Sequence, residues 1–246
     1  MAKTLAVIPA RFASTRFPGK VLAKLGGKPI IQHVWERAVK SKADDVLVAV
    51  DEQQVFDAVC AFGGKAVMTA KNHPTGSDRI WEVASKSDAD AVINIQGDEP
   101  FVKPEVIDSL IDAITAPDAP EMATVVVPCA RAEFENNPNI VKVVLSVDSH
   151  ALYFSRSMIP FLRVGGTETE TYRHWGIYAY RRSALERFVS LPEGKLEQCE
   201  KLEQLRALEN GMRIKVIVTP YSSIGIDTPE ELAKAEAFLA SQQKGN

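Results

Sequence analysis

Leu5-Ala6-Val7-Ile8-Pro9-Ala10-Arg11-Phe12-Ala13-Ser14-Thr15-Arg16-Phe17-Pro18-Gly19-Lys20 is an unbroken apolar run that empties into a basic loop. The run Leu5–Pro9 has no polar position, as a strand covered on both faces requires, and such strands belong to parallel sheets with helices on either side. Ligands of those sheets sit beyond the carboxyl ends of the strands. The loop there carries three cations, two small hydroxyls and a Pro-Gly bend. Lysine supplies a point charge, arginine a fork of donors, and small residues leave backbone N–H groups open, a set that suits a polyphosphate. The competing reading is a solvated basic loop.

Outward from this stretch the pattern repeats. Asp45–Val50, Ala91–Ile95, Ala123–Val127 and Lys215–Val218 read as further buried strands. Ile30–Lys40, Gln53–Phe62, Ser77–Ser87 and Pro104–Ala113 read as amphipathic helices between them. Strand–helix alternation predicts an α/β fold with a mostly parallel sheet, as a single domain over 1–246. Thr115–Glu121 is linker-like. About 139–181 the pattern changes: Val141–Val147, Ala151–Ser155 and Trp175–Tyr180 look like strands with little helix between them. That predicts an inserted antiparallel region that closes over a site or meets a second subunit. A helix is expected over Pro229–Ala240, opened by Asp227-Thr228-Pro229-Glu230.

Composition bounds the chemistry. The 246 residues are 46% hydrophobic and 25% charged, with net charge −3, so no global basic field draws the chain to nucleic acid or anionic lipid. No apolar run approaches the roughly 20 residues that span a bilayer, and the N-terminal run is too short for a signal-peptide core; a cytoplasmic protein is expected. Cys60, Cys129 and Cys199 are odd in number and unpaired in pattern, which supports neither a disulfide framework nor a zinc knuckle. The chain lacks Gly-x-Gly-x-x-Gly, Gly-x-x-x-x-Gly-Lys-Ser/Thr, His-Glu-x-x-His and Gly-x-Ser-x-Gly. Dinucleotide oxidoreductases, P-loop NTPases, zincins and α/β-hydrolases thereby lose their fingerprints.

Two acids stand where a metal–phosphate site would want them. Asp98, in Gln96-Gly97-Asp98-Glu99-Pro100, follows the strand Ala91–Ile95, and Mg²⁺ takes one or two protein carboxylates beside phosphate and water. Asp227, far off in sequence, is equally readable as a second ligand or as a helix cap. Thr75-Gly76-Ser77-Asp78-Arg79 precedes a helix and offers hydroxyl and backbone donors, although capping alone accounts for Ser77 and Asp78.

The loop Pro-Ala-Arg-x-x-Ser-Thr-Arg-x-Pro-Gly-Lys over 9–20 resembles the signature loop of the sugar-acid cytidylyltransferases. The resemblance extends in blocks from about Leu5 to Leu232, and within the family it is strongest to members acting on 3-deoxy-manno-octulosonate (KDO). It implies a Rossmann-like sheet of nucleotidyltransferase type, CTP and a sugar acid as substrates, Mg²⁺ as cofactor, and a homodimer formed through the 139–181 region. It implies catalytic roles for Arg11, Lys20 and Asp98, with Asp98 and Asp227 as metal ligands. Nucleotide contacts are implied at Ala10, Arg11, Ser14, Arg16, Lys20, Thr75, Gly76, Ser77, Arg79 and Gln96. The blocks Tyr153–Pro160, Arg173–Tyr178 and Leu202–Arg206 resemble the family's sugar-binding segments, which implies Gln96, Arg156, His174, Tyr178, Glu203 and Gln204 as acceptor contacts. Residue chemistry alone also allows Arg156 an ion-pair role, His174 a buried structural one, and Glu203 and Gln204 a solvated helix face.

The implied activity joins CMP from CTP to KDO for lipopolysaccharide synthesis. Two alternatives stay open: a sister enzyme for a sialic acid or an 8-amino KDO analogue, and a non-catalytic nucleotide-sugar binding module.

Overall fold

The computed structural model describes residues 2–13, 16–134, 137–222 and 224–243. Its strands are β1 (Thr4–Ala10), β2 (Lys24–Leu25), β3 (Lys28–Pro29), β4 (Asp45–Val50), β5 (Ala66–Met68), β6 (Ala91–Asn94), β7 (Met122–Pro128), β8 (Lys142–Leu145), β9 (Ala151–Ser155), β10 (Tyr172–Arg181) and β11 (Ile214–Val218). Its helices are α1 (Ile30–Ala38), α2 (Gln53–Ala61), α3 (Gly76–Ala84), α4 (Pro104–Thr115), α5 (Arg131–Phe134), α6 (Arg182–Ser190), α7 (Lys195–Glu200), α8 (Gln204–Glu209) and α9 (Pro229–Gln243).

Among the described residues the main sheet runs β11-β7-β10-β6-β1-β4-β5. β1 pairs in parallel with both β4 and β6, β4 with β5, and β7 with β11. All four residues of β6 are buried, as expected of a strand covered on both faces. The apolar stripe of α4, Val106, Ile107, Leu110, Ile111 and Ile114, recurs at helical spacing. With α1 and α2 it seals one face of the sheet. On the other face α3, α6 and α8 bury Ile80, Val83, Leu185, Phe188 and Leu205.

The 139–181 region departs from the expected insertion. β8 and β9 form an antiparallel hairpin at its margin, but β10 enters the main sheet and lies antiparallel between β6 and β7. Ile177–Tyr180 are all buried, and a strand buried on both faces in mid-sheet also needs a hydrogen-bonding neighbour on each side. Its register against β7 slips between Trp175 and Tyr178, and its pairing with β6 covers only Tyr178–Arg181, so Arg173–Gly176 run past the end of β6 and border a cleft.

A third apolar cluster docks α9: Ala235, with Phe238 and Leu239, packs near Leu25, Ile30, Phe101 and Ile226. No described helix is long and apolar enough to cross a membrane.

Candidate active site

The carboxyl ends of β1 and β6 meet the segment before α9, and the main chain explains how. Ile226 N–H donates to Asp98 C=O at 3.0 Å, which brings the two distant acids side by side. A Cβ at Gly97 would stand 2.7 Å from Pro9 C=O, so only glycine lets the Asp98 loop pass the end of β1. Gly19, at φ 69°, donates its N–H to Phe12 C=O at 2.9 Å and closes the neck of the basic loop. Lys20 follows directly. Its Nζ lies 2.5 Å from Asp98 Oδ2 and 2.6 Å from Asp227 Oδ1, while Arg16 donates to Asp227 Oδ2 at 2.7 Å.

The competition over Asp227 resolves through its neighbours. Thr228 Oγ1 accepts from Glu231 N–H at 3.3 Å, and Glu231 Oε2 accepts from the N–H groups of Asp227 and Thr228. Thr228 and Glu231 therefore cap α9, and the Asp227 carboxylate faces Lys20 instead. Burial pulls the Lys20 pKa down, but the Asp98 and Asp227 carboxylates outweigh it and the net shift is upward. Burial raises the Asp227 pKa, and Lys20 and Arg16 outweigh that, leaving it below the ordinary value. Two carboxylates converging on one ammonium mark out one cation position. Two hard oxygen donors opening on a cleft fit Mg²⁺, which completes its shell with phosphate and water. Among the described residues no set of three His, Cys, Asp or Glu side chains gathers in this way.

These groups line a cleft of about 400 Å³ together with Arg11, Gly76 and Gln96. Arg11 Nη2 donates to His73 C=O at 3.1 Å. His73 Nε2 stands 2.6 Å from Glu82. The N–H of Ala70 and the His73 ring hold the Glu82 carboxyl down at about 2. Thr75 caps α3: its hydroxyl accepts from Asp78 N–H and donates to the Asp78 carboxylate. Ser77 is buried, and Ala10 is buried at the end of β1. Ser14 lies outside the described residues. Arg79 is displaced from the expected nucleotide contact. It is 0% exposed, and it donates to Thr69 Oγ1 at 2.5 Å and to Asp51 Oδ2 at 3.1 Å.

A second cleft, about 410 Å³, opens along β10. Gln96 lines both clefts, with its Nε2 donating to Gly176 C=O at 3.0 Å. Thr124 Oγ1 gives its one proton to Ile177 C=O at 2.9 Å, so it must accept from His174 Nε2, 3.0 Å away. That assigns the hydrogen to Nε2 and leaves Nδ1 as an acceptor. Burial pushes the His174 pKa down to about 3, so the ring is a neutral partner. Tyr178 lines the same cleft, and burial raises its phenol well above the ordinary value. Gln204 also lines it, 6% exposed, its Nε2 without a hydrogen-bond partner among the described residues. Glu203 lies behind, not on the solvated helix face. Burial raises its pKa against the opposing hydroxyls of Thr75 and Ser77, so it joins α8 to the start of α3.

Arg156 also moves from its expected place. It does not line this cleft; its guanidinium donates to the carbonyls of Glu200, Pro138 and Lys201. Three carbonyls occupy three of its five N–H donors and hold the fork against the Glu200–Lys201 and Pro138 main chain, away from this cleft. Asn139, Ile140 and Arg173, by contrast, do line it. The sequence reading missed them, because the signal in the Arg173–Tyr178 block had been spent on His174.

The cytidylyltransferase family model matches residues 5–214. The 3-deoxy-manno-octulosonate cytidylyltransferase of Thermodesulfovibrio yellowstonii is 51% identical, over 96% of this chain and 98% of its own. That of Chloroherpeton thalassium is 48% identical, over 98% and 100%. The solved structure of CMP:2-keto-3-deoxy-manno-octonic acid synthetase complexed with CTP matches with a TM-score of 0.93 at 43% identity, covering 98% of this chain and 100% of that one. A glucose-1-phosphate thymidylyltransferase from Bacillus anthracis, at 15% identity and TM-score 0.69, shares the fold. By sequence over nearly its whole length, and by fold, the chain belongs to the 3-deoxy-manno-octulosonate cytidylyltransferases.

Proposed function

We propose that the protein transfers CMP from CTP to the anomeric hydroxyl of KDO and releases pyrophosphate, as a step toward lipopolysaccharide. The observation that carries this is the pair of clefts meeting at Gln96: one lined by Arg11, Arg16, Lys20, Asp98 and Asp227, the other by uncharged His174, Tyr178 and Gln204. The first suits a triphosphate, the second a polyhydroxylated acceptor.

The acceptor hydroxyl forms a bond to the α-phosphorus, the bond from that phosphorus to the β-phosphate oxygen breaks, and the hydroxyl proton leaves to solvent. Arg11, Arg16 and Lys20 orient the triphosphate and offset the charge that builds on the departing pyrophosphate. Gln96 stands at the junction. The carboxamide of Gln204 and the Nδ1 of His174 meet acceptor hydroxyls. Asp98 and Asp227 would hold Mg²⁺, which when bound neutralises phosphate charge.

The decisive test is pyrophosphate release from CTP, with UTP as control, against KDO, a sialic acid and an 8-amino KDO analogue, with and without Mg²⁺. Release with CTP and KDO alone, dependent on Mg²⁺, is expected. Binding without release would instead identify a non-catalytic module. Asp98→Asn is expected to lose about a hundredfold or more in turnover while still binding CTP; near-normal rates at saturating Mg²⁺ would remove Asp98 from the mechanism.

The reading extends to a cytoplasmic homodimer. Val147, Phe161 and Val164 stand exposed in the 139–181 region, and large apolar side chains left in water there support self-association. Sedimentation of the protein as a monomer at micromolar concentration would exclude it.

A further inference from the structure

Among the described residues two buried ion pairs lie outside both clefts, Arg206 with Glu197 and Arg79 with Asp51, and the second adjoins the basic loop. Arg79, on α3, is 0% exposed and Asp51, just past β4, is 7% exposed. Arg79 Nη2 donates to Asp51 Oδ2 at 3.1 Å, and Arg79 Nη1 donates to Thr69 Oγ1 at 2.5 Å. Thr69 Oγ1 in turn donates to Val50 C=O at 2.9 Å, so the guanidinium is fixed to the ends of β4 and β5. The other oxygen of Asp51 faces the opposite way: Oδ1 accepts from Phe12 N–H at 3.0 Å.

Phe12 is the neck of the basic loop. Its C=O takes the Gly19 N–H, and its ring lies against Gly19, where an added Cβ would meet Phe12 Cε2 at 2.9 Å. Both main-chain groups of Phe12 are thereby committed, one to the far end of the loop and one to Asp51. Arg11 precedes this neck by one residue and Lys20 follows it by one. A buried ion pair adds little net stability over a well-packed apolar pair, but it does fix direction, because each oxygen of Asp51 has one assigned donor.

We propose that Asp51, held by buried Arg79, is a positioning residue for the triphosphate loop: it fixes the Phe12 main chain and so sets the directions from which Arg11 and Lys20 reach the phosphates. This deepens the cytidylyl-transfer reading and rests on it. Arg79 balances the charge of buried Asp51 and touches no substrate, so a neutral acceptor at position 51 dispenses with it.

Two double variants test it. Asp51→Ala with Arg79→Met removes both charges and the acceptor for Phe12 N–H. Asp51→Asn with Arg79→Met removes the ion pair but keeps an acceptor oxygen at Phe12. The first is expected to raise KM for CTP about tenfold or more, with KM for the sugar acid unchanged. It should also speed trypsin cleavage within 11–20, measured without any substrate. The second is expected to stay within about threefold of the parent on both counts, and thermal melting of each variant reports its folding. Equal KM values for CTP in the first variant and the parent would overturn the inference. So would a rise in both KM values together, or an equal loss in the two variants, since either marks general loosening. If the parent itself makes no pyrophosphate from CTP and the sugar acid, the functional reading falls; unchanged trypsin rates would then sink the clamp independently.

Discussion

Lys20 serves as counter-ion to both acids of the first cleft, and that has a cost for any cation meant to sit there. A metal approaching Asp98 and Asp227 must first displace an ammonium 2.5 and 2.6 Å from their oxygens. Lys20→Met is therefore expected to bind Mn²⁺ at least about tenfold more tightly than the parent in the absence of nucleotide, read by calorimetry. Equal affinities would show that Lys20 does not compete. His174 gives a pH signature of another kind. Its folded pKa, about 3, lies below the ordinary histidine value of 6.5, so the unfolded chain binds a proton that the native ring refuses. Between those values stability falls as pH falls, by up to about 1.4 kcal/mol per pH unit. His174→Gln removes the term, so its stability deficit relative to the parent should shrink between pH 7 and pH 4 in urea titrations; a constant deficit would contradict the buried neutral ring. Some of this was legible beforehand. Arg11, Lys20 and Asp98 follow from where charge falls relative to strand ends, whereas Asp227 reads equally as a helix cap and becomes a metal ligand only through the family resemblance. Asp51 has the same signal, a carboxylate just past a strand, and was passed over because no glycine or cation sits beside it in sequence. Arg79 and Arg156 enter as contacts only through the resemblance, since sequence shows a charge but not whether carbonyls and carboxylates already surround it.

At the scale of elements, α9 positions Asp227 as well as covering Leu25 and Phe101. Thr228→Ala deletes the oxygen that caps the helix and should cost about 1 kcal/mol, or about 2–4 °C in melting temperature. It should also lower turnover, because the main chain that aims Asp227 loses one of its ties; full activity with the lowered melting temperature would separate the cap from the site. The strand–helix alternation was readable because β1, β4, β6 and β7 are continuous apolar runs and α1 to α4 keep helical spacing. β5 escaped notice, since Ala66-Val67-Met68 is too short for any period to register. β10 was seen as a strand but assigned to the wrong place: hydrophobic pattern reports burial, not which two neighbours a strand will choose.

For the whole molecule, the placement of β10 matters beyond the cleft it borders. β6 and β7 are joined through α4, yet they never pair; the strand between them arrives only with Tyr172–Arg181, and β11 later still. A chain emerging from the ribosome can therefore complete the β5-β4-β1-β6 half early. The edge of β6, together with β7, then waits for partners more than forty residues away. Open edges of this kind invite pairing with other chains, and contacts so distant in sequence form slowly. In pulse-labelled hydrogen exchange during refolding, amides of β1, β4 and β6 should gain protection first, and those of β7, β10 and β11 later and together. Simultaneous protection of all six would mean that the sheet forms as one unit. Gln96 and Gly176 belong to opposite sides of that divide, so the junction between donor and acceptor clefts exists only after the late strand has docked, and a half-made chain has nowhere to bring the two substrates together.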